Sequence, residues 1–223
     1  MKNVRIVFSK TGRAKYVSHL DLMRTMTRAM RRAQIPLWYT EGFNPRPKLV
    51  FSLPLSIGTE SVCEYVDFKI TENMPFDEIA KRVEAEFAPE MRVTGVWAPE
   101  RKLAEIGFAE YEIVINSVKA NEQIANGIAE MLKQPLVVKK RSKSGEKDVD
   151  ISPLIKSAEV VFENGHIRIN TLLSCDSANY LNPEYVVRAA AEKFGIDFEK
   201  PETEYYSIMR KKVTLSDGVT DFR

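Results

Sequence analysis

Residues 3–36 read NVRIVFSKTGRAKYVSHLDLMRTMTRAMRRAQIP. The first six, NVRIVF, alternate apolar and polar side chains, the period of a strand. From Ser18 onward the period lengthens. Leu22, Met23, Met26, Ala29, Met30 and Ala33 recur at helical spacing and share one face. Ser18 with Asp21 three residues on matches a capping-box variant. Pro36 ends the helix at about Gln34.

Working outward, strands are predicted over 48–54 and 62–70, a helix over 75–87 introduced by Asn73 and Pro75, and a strand over 91–97. The order β-α-β-β-α-β is the ferredoxin-like order. The pattern then recurs. Residues 108–116 read as a strand, 120–132 as a helix, and 136–141 as a strand before the charged loop RSKSGEKD. Strands at 158–163 and 166–173 flank Asn164-Gly165, a strong hairpin signal. A helix over 183–194 has Asn182 as its cap and Pro183 at its first position, and 204–213 is the last strand. The predicted fold class is therefore α+β, two ferredoxin-like (βαββαβ) units in tandem. Their expected bounds are 1–100 and 101–223, with the joint near 98–107. No side-chain repeat supports a duplication.

Charge is distributed unevenly over this plan. Residues 1–50 hold eleven Lys/Arg and two acidic residues, a balance of +9, whereas 51–115 balance to −7 and 116–223 to zero. The whole-chain value of +2 conceals the split. A basic face on the first unit points to an anionic partner, phosphate above all; mutual neutralisation of two surfaces within the fold is the plainer reading.

Apolar content of 44% belongs to an ordinary globular protein. No apolar run approaches the roughly 20 residues of a membrane span. The chain enters a strand pattern at once, so no signal peptide is expected and the expected location is cytoplasmic. Cys63 and Cys175 are the only cysteines and His19 and His166 the only histidines, too few for a metal centre or an iron–sulfur cluster. Neither a metal nor a cofactor is expected.

Candidate anion-binding residues fall in three places. The loop SKTGRAK supplies Lys10, Arg13 and Lys15 around Gly12 just before a helix N-terminus. Its spacing lacks the Walker pattern, so a contact to a phosphate backbone is expected, with a solvated basic turn as the alternative. On the helix, Arg24, Arg28, Arg31 and Arg32 fall opposite the apolar face. The loop EGFNPRPKL holds Arg46 between Pro45 and Pro47, followed by Lys48. Stiff neighbours reduce the entropy an arginine loses on binding a phosphate. Trp38, Tyr39 and Phe43 precede it and are candidates for stacking on bases. A rigid crossover loop with core-packed aromatics explains the same residues.

Other features carry less. His19 and Asp21 lie roughly 160° apart on the helical wheel, so capping explains Asp21 and packing explains His19. The run KKRSKSGEKDVD, with Lys139, Lys140, Arg141, Lys143 and Lys147, reads as a solvated turn that can also grip a nucleic-acid backbone. Asp150 is placed to order the turn at Ile151-Ser152-Pro153. Ser174, Asp176, Ser177 and Asn179 form a polar cluster that loop chemistry explains. No catalytic constellation is present.

The segments VRIVFSKTGRAKYVSHLDLMRTMTRAMRRAQIP, EGFNPRPKLVFSLPLSIGTES and EYVDF resemble the radical SAM-linked protein family, a domain of unknown function. The likeness extends to KKRSKSGEKDVDISPLI and so covers most of the chain. Members of that family stand beside a radical SAM protein gene or are fused to its C-terminal end, often near ribosomal-protein and ribonuclease genes. The resemblance implies a helper of a radical SAM enzyme in RNA or ribosome modification, with a radical SAM protein as partner. It brings no catalytic residues. The three-cysteine cluster motif is absent here, so the cluster must belong to the partner.

The function expected is a non-catalytic protein that binds RNA, or presents a substrate, for a radical SAM enzyme, using Lys10, Arg13, Lys15, Arg24, Arg28, Arg31, Arg46 and Lys48 on phosphate. A protein-interaction adaptor and an RNA-processing enzyme using His19 with Asp21 or Asp150 are the rivals.

Overall fold

A computed structural model of the protein describes residues 1–142, 145–176 and 179–222. The chain divides into two compact units, Met1–Glu105 with Phe222, and Ile106–Asp221. The architecture is mixed α/β, with antiparallel strand pairing and four α-helices among the described residues. Among the described residues no helix is long and apolar enough to cross a membrane.

The first unit runs β1 (Lys2–Lys10), α1 (His19–Arg32), β2 (Val50–Phe51), β3 (Thr59–Ile70), α2 (Phe76–Ala85) and β4 (Met91–Trp97). Its strands lie in the order β4-β1-β3-β2, so the first strand is interior. The alternation of NVRIVF directs Val4, Ile6 and Phe8 to one face. There they meet Val66, Phe68 and Ile70, under Leu22, Met26 and Met30 of α1 and Ile79 and Val83 of α2. Each buried Leu, Ile or Met contributes about 1.5–3 kcal/mol, which makes this apolar layer the main support of the unit.

The helix predicted from Ser18 forms as read. Ser18 Oγ accepts from the Asp21 N–H at 3.2 Å and donates to its carboxylate at 2.7 Å. Gln34 ends the helix at φ 54°, a left-handed turn just before Pro36.

Two expectations about strands are corrected. The strand predicted over 48–54 contracts to Val50–Phe51. Pro47 and Pro54 bracket it and cannot donate to a ladder. The charged loop predicted after 141 is instead part of a hairpin, β6 (Val137–Ser142) with β7 (Gly145–Asp150). It pairs Val138 with Val149 and Lys139 with Asp148. Lys143 of that run and Ser177 of the polar cluster lie outside the described residues.

The second unit runs β5 (Ile106–Asn116), α3 (Glu122–Leu132), the β6–β7 hairpin, β8 (Ile155–Glu163), β9 (His166–Ser174), α4 (Glu184–Phe194) and β10 (Tyr205–Leu215). Its main strands are ordered β10-β5-β9-β8. Setting aside the hairpin, this is the chain order and adjacency of the first unit. Asn164 and Gly165, at φ 52° and 81°, turn β8 into β9, as their dipeptide predicts. Ile113, Ile128, Ile169 and Val187 are fully buried at its centre.

Each unit also buries an arginine beside a tyrosine. Arg5 in β1 is fully buried near Tyr65, and Arg210 in β10 donates to the Tyr111 hydroxyl at 3.2 Å. Burial pushes the Tyr111 hydroxyl far above its ordinary pKa. Arg5 lies opposite Asp67 in β3 and Trp97 in β4. Its guanidinium carbon is 4.6 Å from the Phe222 ring centre, and that ring stacks edge-on against Tyr65 at 5.3 Å.

Candidate nucleic-acid interface

The first unit carries Lys10, Arg13, Lys15, Arg24, Arg28, Arg31, Arg46 and Lys48, the residues expected on phosphate, and internal contacts sort them into two groups. The loop between β1 and α1 winds into a short 3-10 turn over Gly12–Tyr16. Its N-terminal donor is already occupied, because Gly12 N–H donates to the Glu60 carboxylate at 2.6 Å. Arg13 pairs with Glu90 at 2.9 Å. Lys15 holds its ammonium 5.4 Å from the Tyr16 ring centre. Lys10 is buried, at 1% exposure, and donates to the Lys15 carbonyl. It therefore does not belong to the exposed basic face, a correction to its reading as a phosphate contact. Its aliphatic stem and inward position at the end of β1 allow what its charge alone did not suggest.

On α1, Arg24 is held by Asp21 at 3.2 Å and Arg32 by Glu86 at 2.6 Å. The Asp21 carboxyl is held below its ordinary pKa by the Ser18 hydroxyl first and by Arg24 second. Arg28 and Arg31 are exposed, and among the described residues neither makes an ion pair. The wheel predicts a stripe of four arginines; the structure leaves its middle two uncompensated.

The loop after α1 is closed at its neck. Tyr39 bridges to Pro47, Thr40 N–H donates to the Arg46 carbonyl at 2.9 Å, and Arg46 N–H donates to Thr40 Oγ1 at 3.1 Å. Residues 41–46 are all exposed, with Phe43 fully so. Arg46 and Lys48 are exposed and make no ion pair among the described residues. The neck departs from the end of β3 where α1 stops. Leu37 bridges to Ile70, and Trp38 N–H donates to the Lys69 carbonyl at 2.8 Å. Of the three aromatics, Tyr39 packs against the core and Trp38 lies under the Lys69 ammonium, 5.8 Å away. Only Phe43 is wholly presented to solvent. Thr40, which pins the Arg46 backbone, carried no signal in the sequence beyond being a threonine near two prolines.

The acid–base candidates do not assemble. His19 stacks edge-on against Phe51 at 5.7 Å, while Asp21 is engaged by Ser18 and Arg24. Asp150, in the second unit, accepts from Leu136 N–H, Ser152 N–H and the Ser152 hydroxyl. These bonds, those from Ser152 first, hold its carboxyl below the ordinary range. Asp176 accepts from the Asn179 N–H at 2.7 Å, a loop-ordering contact. Among the described residues no group of three or more His, Cys, Asp and Glu is arranged to hold a metal ion.

Residues 3–183 match the family described as an uncharacterized protein conserved in bacteria, DUF2344. The chain belongs to that family. The match spans all of the first unit up to Glu105 except its first two residues and Phe222, and most of the second, so the matched residues include the SHLDLMR and GFNPRPK segments of this chain. No curated protein matches this DUF2344 chain. Among solved structures, a chain in a Cbf5–Nop10–Gar1 complex is similar at a TM-score of 0.51 and 9% identity, over 94% of this chain and 48% of that one. A chain in the archaeal box H/ACA sRNP Nop10–Cbf5 complex is similar at 0.48 and 8% identity, over 93% and 46%. The DUF2344 chain thus spans about half the length of these structures. At such identity the first likeness is one of fold.

Proposed function

We propose that this protein is a non-catalytic accessory protein that binds RNA in the cytoplasm, or presents a substrate, for a radical SAM enzyme. The observation that carries the reading is the set Arg28, Arg31, Arg46 and Lys48. These cations are exposed without a carboxylate partner among the described residues, while Arg13, Arg24 and Arg32 nearby in sequence are paired. A fold that needed all its cations for internal neutralisation would not leave these three arginines and one lysine over. Exposed cations on a pre-ordered loop and a helix face suit a phosphate backbone, whose charges are evenly spaced and whose counterions are released on contact. Phe43, at the loop tip, is the stacking group this reading favours.

The radical SAM partner rests on the resemblance of the SHLDLMR and GFNPRPK segments. The shared chain order of the two units supports reading them as two ferredoxin-like units in tandem, over 1–100 and 101–223. An interface of this kind needs no reacting side chain of its own.

The test is a gel-shift titration of single-stranded RNA against the wild type and the Arg28→Gln/Arg31→Gln/Arg46→Gln variant at several salt concentrations. The variant should bind more weakly, with a salt slope shallower by about 0.7 for each phosphate it no longer neutralises. Unchanged affinity and slope in a folded variant would overturn the proposal. Co-purification with crosslinking tests the partner: recovery of a radical SAM protein is the expected result.

A further inference from the structure

Lys48 has a second setting besides the exposed loop. It lines a cavity of about 340 Å3 on the first unit, between the β2–β3 edge and the segment 99–102. This lies toward the lower end of the range for small-ligand sites, about 300–1,000 Å3. The charged groups on its walls are Lys48, Lys69, Arg101 and Lys102 against Asp67 and Glu100. Asp67 is already neutralised from behind. Arg5, wholly buried, donates to both oxygens of its carboxylate at 2.7 and 2.8 Å. The same guanidinium donates to the Arg101 carbonyl at 2.8 Å. One buried arginine therefore fixes both walls, the strand and the 99–102 segment, before any ligand arrives.

The remaining cations are not tightly held by carboxylates, although the Lys69 ammonium also lies 5.8 Å from the Trp38 ring centre. Arg101 makes a long contact to Glu105, at 3.5 Å, and Lys48, Lys69 and Lys102 make no ion pair among the described residues. The Asp67 side chain keeps 24% of its exposure. A carboxylate offers about four acceptor directions, and Arg5 uses two of them. The cavity thus presents Lys48, Lys69 and Lys102, none of them in an ion pair among the described residues, with Glu100 and Arg101 on the same walls and Asp67 as an anchored hydrogen-bond acceptor that carries little net charge.

The geometry points to a site for one ribonucleotide. Its phosphate lies among Lys48, Lys69 and Lys102, and its ribose 2′-hydroxyl donates to Asp67. A phosphodiester offers the acceptor no donor, and a deoxyribonucleotide lacks the 2′-hydroxyl, so the pairing of cations with Asp67 favours RNA over DNA. The inference rests on the RNA reading, in which this ribonucleotide is one residue of a bound strand passing from the Arg46 loop. Free nucleotide is the other source of the same chemistry.

Amide chemical-shift titrations with 5′-AMP, 5′-dAMP and inorganic phosphate test the site directly. 5′-AMP should shift the amides of Lys48, Asp67, Lys69 and Lys102 and bind more tightly than 5′-dAMP. Lys69→Gln/Lys102→Gln, both at exposed positions, should weaken 5′-AMP about tenfold, and Lys48→Gln repeats the test should that pair fail to fold. Absence of shifts at these amides, or equal binding of 5′-AMP, 5′-dAMP and phosphate, overturns the assignment. A single-stranded oligoribonucleotide separates the two readings. Equal binding to the wild type and to Lys69→Gln/Lys102→Gln, with binding abolished in Arg28→Gln/Arg31→Gln, overturns the cavity and leaves RNA binding by the helix face. No oligoribonucleotide binding by the wild type, with 5′-AMP still shifting the cavity amides, overturns the RNA source in favour of a free nucleotide.

Discussion

Arg5 and Asp67 meet across β1 and β3 in a two-bond pair whose arginine is wholly buried and whose aspartate is one-quarter exposed. Arg5 Nη1 has no hydrogen-bond partner among the described residues, so the guanidinium depends on Asp67, the Arg101 carbonyl and the Phe222 ring. Removing one partner of such a pair leaves a buried charge uncompensated. Asp67→Ala should cost about 3–5 kcal/mol in denaturant titration. Replacing both, as Arg5→Met/Asp67→Leu, should recover most of that stability. A double variant as unstable as the sum of the singles would show that the pair is not coupled.

The closed loop gives a prediction about affinity. Pro45→Ala/Pro47→Ala enlarges the freedom of the unbound loop and should weaken RNA binding by about 1 kcal/mol, roughly fivefold. Arg46→Lys should also weaken it, since the planar fork is gone. Thr40→Val removes the acceptor of the Arg46 N–H and should act in the same direction. Unfolding of the double alanine variant together with normal binding by Arg46→Ala would make the loop a structural crossover.

Gln34 takes a left-handed conformation, φ 54°, where α1 ends. Most helices use glycine or asparagine there, because a Cβ is strained. Gln34→Gly should stabilise the protein by about 0.5–1 kcal/mol, even after the added freedom of the unfolded chain. Gln34→Val should do the reverse. Thermal melts of the three proteins give the order, and a glycine variant that melts below the wild type would contradict it.

Asp217 supplies a pH prediction for the second unit. Its carboxylate accepts from the Thr220 hydroxyl at 2.5 Å and from the Val219 and Thr220 N–H groups at 2.8 and 2.9 Å. These bonds, the hydroxyl first, lower its pKa from 3.8 to about 2. A pKa lowered in the folded state contributes stability that is present above the ordinary value and lost as pH falls toward the folded one. The melting temperature should therefore drop between about pH 4 and pH 2 more steeply in the wild type than in Asp217→Asn. Equal acid slopes would contradict the assignment.

Much of the fold was legible because the residues that build it follow a period. The Met23–Met30 face and Ser18 located α1, and Asn164-Gly165 located the β8–β9 turn. Polar residues in structured places were harder. Arg5 reads as the wet side of an alternating strand, yet Asp67 and Phe222, at 62 positions and at the far end of the chain, cover it. Lys10 reads as a loop cation, yet it closes β1 and is buried there. The second strand of the β6–β7 hairpin went unread because Gly145–Asp150 is almost wholly polar and exposed, so no apolar alternation marks it. For the candidate site, charge and helical spacing drew attention to the first unit, where Arg28, Arg31 and Arg46 are exposed. Lys69, Arg101 and Lys102 went unread, since each is an ordinary surface cation until β3 and the 99–102 segment bring them to one cavity.

The Phe222 ring has a bearing on synthesis. It completes the packing over Arg5 and Tyr65, and the Tyr65 hydroxyl donates to its carbonyl at 3.3 Å. A ribosome that has finished residue 105 has yet to make 222. At about 5–20 residues per second the gap lasts on the order of ten seconds. During that interval the nascent first unit must hold the Arg5 guanidinium against Tyr65 without the Phe222 ring, so its packing is completed only after the second unit has been translated.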